Sequence, residues 1–206
     1  MTKLDLKKEL KHLYQPTAKD FTLIDVPPMN FLMIDGAGDP NTSQVYQDAV
    51  QALYSVSYTL KFAIKKVRQI DYPVMALEGL WWTPDMQTFS VERKGEWLWT
   101  MLMMQPAPVT AEDVAAALDE VRRKKGLAAV DRLRFEGFHE GLAVQIMHIG
   151  SYADEAPTLR RLHEEYLPAH GYAPTGKHHE IYLSDPRRSP PEKWKTVLRQ
   201  PVRKVG

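Results

Sequence analysis

The sequence predicts an α+β protein made of two strand–helix–strand–strand repeats with antiparallel sheets, and three observations carry that reading. A strand ending at Gly36 leads to a loop, a long helix and two strands, and a strand ending at Gly150 leads to a loop, a helix and two more. Strand segments are rich in β-branched and aromatic residues, while the helical segments repeat their apolar positions every 3.6 residues. Pro106 and Pro108 break the chain between the copies. The expected organisation is one domain over residues 1–206, with repeat one at about 21–105, a connector helix at 109–126 and repeat two at about 131–203.

Taken in order, residues 4–14 form a short amphipathic helix with Leu6, Leu10 and Leu13 on one stripe, ended by Pro16. Residues 21–26 and 31–36 read as strands separated by Pro27 and Pro28. The loop from Gly36 to Asn41 lacks the Lys-Ser/Thr of a P-loop and the spacing of a dinucleotide fingerprint, which discounts it as a phosphate site. Asn41, Thr42 and Ser43 offer N-caps for a helix running to about Arg68, with Val45, Ala49, Ala52, Val56, Leu60, Ala63, Ile64 and Val67 on its apolar face. Residues 74–82 and 95–104 read as partner strands joined by a polar connection. Thr110 caps a second helix through Lys125, which Gly126 ends. Residues 131–138 and 141–149 suggest a hairpin around His139-Glu140-Gly141, and a helix follows from Thr158 to about Leu167. Between the copies, Glu78 with Leu80 and Trp82 is matched to Glu180 with Tyr182 and Ser184, and Thr100 to Thr196.

A formal net charge of +1 gives no general attraction to nucleic acid or to an anionic membrane. Without cysteine there is no disulfide, no thiolate metal site and no thiol nucleophile. No apolar run approaches the ~18 residues that span a bilayer, and the N-terminal residues lack the apolar centre of a signal peptide. A cytoplasmic protein, monomer or homodimer, with no cofactor, no nucleic-acid partner and no membrane partner, is the expectation.

Three segments carry a resemblance: Leu77-Glu-Gly-Leu-Trp-Trp82, Met147-His-Ile-Gly-Ser-Tyr152 and, most specific, His178-His-Glu-Ile-Tyr-Leu-Ser-Asp-Pro186. In these the chain resembles the GyrI-like family of small-molecule-binding proteins, above all its stand-alone subfamily, and the likeness runs from Asp35 to Arg199. The resemblance implies two βαββ units of the SHS2 type related by a pseudo-twofold, with a ligand cleft between them. Some members carry a DNA-binding domain ahead of this module. Here about 20 residues precede the first strand, too few for a helix-turn-helix domain, so a transcription-factor role is not expected.

On a strand, His178, Glu180, Tyr182 and Ser184 point one way and His179, Ile181 and Leu183 the other. The resemblance implies that Glu180 reaches into the cleft toward cationic or polar aromatic ligands. Walled by aromatics, it is readied to pair a cation or to act as a base. Trp82, Trp97, Trp99, Met101, Tyr172 and Tyr182 are the candidate ligand-binding set: Trp97 and Trp99 share a strand face with Met101, and Trp82 shares one with Glu78. His148 and Tyr152 flank the Gly150 turn, His148 as a hydrogen-bonding group, and Tyr152 or Tyr172 is the expected catalytic hydroxyl donor. Adjacent His178 and His179 project oppositely and cannot chelate one ion together, so no metal is expected.

The function expected is binding of flat or amphipathic xenobiotics in an aromatic cleft. Hydrolysis of activated cyclopropanes in DNA-alkylating compounds is the enzymatic extension, by resemblance to hydrolases of the stand-alone subfamily. The alternatives are a non-catalytic sequestering protein and a partner-binding inhibitor of the gyrase-inhibitor type.

Overall fold

The computed structural model describes residues 1–85 and 93–206, so the polar connection expected between Trp82 and Gly95 lies largely outside the described residues. Through the first half the elements are β1 (Thr2–Lys3), α1 (Leu6–Glu9), α2 (Lys11–Tyr14), β2 (Thr22–Val26), β3 (Met29–Ala37), α3 (Gln44–Arg68), β4 (Ile70–Asp71), β5 (Leu77–Trp82) and β6 (Leu98–Gln105). Then come α4 (Ala111–Lys125), β7 (Arg134–Phe138), β8 (Gly141–Ile149), α5 (Ala156–Arg160), α6 (Leu167–Ala169), β9 (Tyr172–Pro174), β10 (His178–Tyr182) and β11 (Lys195–Lys204). Between α5 and α6, Arg161–Tyr166 is wound as a π-helix. The fold is α+β and its main sheets are antiparallel.

The chain divides into two compact units, Met1–Glu9 with Met29–Phe138, and Leu10–Pro28 with His139–Gly206. The first holds an antiparallel sheet in the order β5, β6, β3, β7, and a short parallel pair of β1 with β4. The second holds β2, β8, β11, β10, with β9 on the far end of β11. Residues 134–138 and 141–149 are strands, but they do not form a hairpin. β7 pairs with β3 and β8 pairs with β2 and β11. Two residues, His139 and Glu140, separate β7 from β8. Glu140 is a buried charge whose partners lie in the second unit, and a tight reversal there would take it from them.

Local chemistry explains the long helices. Ser43 caps α3 by accepting the Tyr46 backbone N–H at 3.3 Å, and Gln69 closes it in the left-handed conformation at φ 57°. α4 opens with a reciprocal capping box between Thr110 and Asp113 and ends at Gly126, φ 61°. The core stripe of α3 is Ala49, Ala52, Leu53, Val56, Leu60 and Ile64, whereas Val45 and Val67 in its end turns are exposed.

α3 packs on one face of the first sheet. Ser57 donates to Met103 Sδ at 3.6 Å, Gln105 Nε2 donates to Ser57 Oγ at 3.2 Å, and the Tyr46 ring meets Trp99 edge-on at 5.4 Å. That face of β6 therefore carries Trp99, Met101, Met103 and Gln105. In the second unit the helical segment places Leu162 and Leu167 against Phe21, Val144, Ile146 and Leu198, so its helix-facing residues on β11 are Thr196, Leu198 and Gln200. Gln105 and Gln200 each precede a proline. Counted back from them, Met101 answers Thr196, and Thr100 does not. On the neighbouring strands Glu180, opposite Leu198, answers Leu77, and Glu78, opposite Leu102, answers Ile181. The match read from sequence is one residue out, and a one-residue slip moves a side chain to the other face of its sheet.

Gly36 lies opposite Trp99, and a Cβ there would sit 2.1–2.6 Å from three atoms of its indole. The ring is fully buried against Tyr46 and cannot retreat. Gly36→Ala is expected to lower stability by about 1–3 kcal/mol, as overpacking does. Urea unfolding reads it, and an unchanged midpoint would mean the ring has room.

Candidate functional site

The second unit brings together a polar and aromatic set on the helix-facing side of β10 and β11. The strand register sets Tyr182 opposite Thr196 and Thr196 opposite His148. Glu180, its side chain 14% exposed, has His178 on one side and Tyr182 on the other. The Tyr182 hydroxyl donates to Glu180 Oε2 at 2.7 Å, and His178 Nε2 stands 3.3 Å from Glu180 Oε1. The Tyr182 ring meets Tyr152 edge-on at 5.6 Å, and Tyr152 lies 4.9 Å from Trp194. Tyr152 is exposed on its outer side.

The turn after β8 shapes this edge. Gly150 has φ 148°, and a Cβ on it would come within 3.0 Å of His148 Nε2. The bare backbone lets that nitrogen donate to the Ser151 carbonyl at 3.1 Å. His148 is thus engaged locally. Thr196 Oγ1 and both ring nitrogens of His178 are buried and have no hydrogen-bond partner among the described residues. Buried polar atoms are nearly always satisfied, so Thr196 Oγ1 and His178 Nδ1 stand out here, while His178 Nε2 faces the Glu180 carboxylate.

The remaining sequence candidates lie elsewhere. Trp97, Trp99 and Met101 are buried in the first unit, where Trp81 meets Trp97 at 5.4 Å and Trp99 and Met101 lie beneath α3. Trp82 is half-buried on the Glu78 face. Tyr172 sits opposite Lys204 at the end of β11 and packs against the core. Six residues separate Lys204 from Leu198, or ~20 Å at the usual strand rise. Tyr172 is therefore not a hydroxyl donor at Glu180. The two repeats have diverged on one surface: where the first has Leu77, Gly79 and Met101, the second has Glu180, Tyr182 and Thr196.

Three features escape the sequence reading. Trp194 occupies the place of Trp99 in the repeat, a correspondence hidden by the register slip. His178 is legible as a face-mate of Glu180, but its open nitrogens are not. The third is a buried ionic cluster on the opposite face. Glu140 accepts from His179 Nδ1 at 2.9 and 3.0 Å and from Arg199 at 3.0 Å, all three side chains being 1% exposed. Arg199 also donates to Gln145 Oε1 and, at 2.7 Å, to the Leu13 carbonyl, while Gln145 donates to the His12 carbonyl. Burial pushes the Glu140 carboxyl up, but the His179 and Arg199 charges outweigh it and hold it at about 2. Among the described residues no cluster of His, Asp and Glu is arranged to hold a metal ion, and no helix is long and apolar enough to cross a membrane.

A model of the GyrI-like small molecule binding domain matches residues 19–203. Among solved structures, an uncharacterized conserved protein from Listeria innocua is 40% identical with a TM-score of 0.89, over 98% of this chain and all of that one. A hydrolase from the same organism is 40% identical with a TM-score of 0.87 over the same shares. The C-terminal domain of EcmrR, 13% identical over 90% of this chain and 98% of that one with a TM-score of 0.55, has a similar fold. No curated protein matches the chain.

Proposed function

The chain belongs to the GyrI-like small-molecule-binding family, and we propose that it takes flat or amphipathic xenobiotics at the Glu180 face of its second unit and hydrolyses those carrying an activated cyclopropane. The observation that carries this reading is the Glu180 carboxylate, held by the Tyr182 hydroxyl at 2.7 Å and mostly withdrawn from water. Such a group accepts a proton or pairs a cation. Structures 40% and 39% identical that are described as hydrolases support turnover.

A cyclopropane fused to a dienone is primed for opening, because cleavage relieves strain and restores an aromatic ring as negative charge gathers on the carbonyl oxygen. Glu180 aligns the attacking water and takes its proton. Tyr152 supplies a hydroxyl where the charge develops, and the rings of Tyr152 and Trp194 receive the planar part of the ligand. The protein works in the cytoplasm as a detoxifying enzyme.

Two measurements test this. A planar aromatic cation should quench tryptophan fluorescence with micromolar affinity, and Glu180→Gln should weaken the cation by ~1–3 kcal/mol relative to a neutral analogue. Equal losses for both ligands would remove Glu180 from the site. Chromatography of an activated cyclopropane should give ring-opened product above a buffer blank. A protein that binds the compound without forming product is a sequestering binder.

A further inference from the structure

Glu180, acting as a base beneath a bound ligand, must pass its proton on before the next turnover. Its Oε2 is occupied by Tyr182, which leaves Oε1 to receive the proton, and the nearest described basic group to Oε1 is His178 Nε2 at 3.3 Å. His178 is 4% exposed and makes no hydrogen bond at either nitrogen among the described residues. With Nε2 facing the carboxylate, the ring can accept a proton there and release one at Nδ1.

We propose that His178 is the proton-accepting partner of Glu180, taking at Nε2 the proton that the carboxylate receives from water. This rests on the reading of Glu180 as the site's base. The titratable groups set against His178 are Glu180 on its own strand and His163 on the helical segment over the sheet.

The proton balance closes with water as the only co-reactant. The water oxygen bonds to the cyclopropane carbon as the carbon–carbon bond breaks, and that electron pair moves through the ring to the carbonyl oxygen. The water proton passes to Glu180 Oε1 and then to His178 Nε2, and His178 returns a proton to solvent as the product leaves. The phenolate oxygen takes a proton from solvent. The sum is addition of water, with OH on the opened carbon and H on the phenol oxygen.

His178→Gln keeps a polar side chain of similar volume. It should lower kcat by roughly 10–100-fold, a fraction of a full base's contribution, with KM within about twofold. Calorimetry provides a second arm that needs no turnover. Ethidium binding to wild type, measured in buffers of different ionisation enthalpy, should release a fraction of a proton, because a cation at Glu180 disfavours the protonated form of His178. In His178→Gln that release should vanish while ethidium still binds. Release that persists unchanged in the variant, or KM and kcat that fall together with the thermal midpoint, would overturn the dyad and leave Glu180 as the base. A wild type that neither binds ethidium nor opens the cyclopropane removes the site reading and the dyad with it.

Discussion

Glu180→Ala is expected to slow ring opening of an activated cyclopropane by roughly 10²–10⁴-fold, the range that a positioned general base supplies. Affinity for the unreacted compound should change little. The aromatic contacts among Tyr152, Tyr182 and Trp194 do not pass through the carboxylate, so the planar body of a neutral ligand keeps its surface. A loss confined to kcat identifies an interaction made as the water is deprotonated rather than on binding. Stopped reactions analysed by chromatography, with the ligand at saturating concentration, give the number. Wild type and variant forming product at the same rate would show that the carboxylate takes no proton.

Arg199→Met is expected to destabilise the second unit by about 3–5 kcal/mol, the usual result of stranding one member of a buried ion pair. The guanidinium holds Glu140, Gln145 and the Leu13 carbonyl at once. Its removal leaves Glu140 with His179 alone and cuts one tie to α2. Combining it with Glu140→Leu should recover part of the loss, since an apolar replacement of the whole pair is often nearly neutral. The same cluster sets an acid limit. Glu140 has its folded pKa lowered to about 2, from an ordinary value of 4.5. Its contribution is therefore fully present above about pH 4.5 and is lost as pH falls toward 2. Chemical unfolding across that range reads it. A wild type whose stability is flat from pH 5 to pH 2.5, or an Arg199→Met protein as stable as wild type, would mean the cluster holds nothing.

Strand β10 and its two faces are legible in the sequence because alternation is a local property: His178, Glu180 and Tyr182 do share a side, and they do meet. The caps of α3 and α4 are legible for the same reason. Pairings set by distant residues are not. Glu140 meets His179 across 39 positions and Arg199 across 59, and neither separation leaves a trace in periodicity. The missed hairpin follows from this, since its turn residue Glu140 is held by a partner elsewhere. The shared strand face of Trp97, Trp99 and Met101 suggests a ligand wall, yet tryptophan and methionine fill cores by the same chemistry that lines a cleft. Only burial beneath α3 separates the two uses.

The allocation of β2 to the second unit and β7 to the first has a consequence for synthesis. β2 leaves the ribosome as Thr22–Val26, but its partner β8 begins at Gly141, more than a hundred residues later. At about 5–20 residues per second, that strand waits on the order of ten seconds before its ladder can form. β3 likewise keeps one edge open until Arg134–Phe138 has emerged. Open edges of this kind are templates for pairing with other chains. The nascent protein therefore depends on its surroundings during that interval, and slower translation through α4 would lengthen the exposure of both strands.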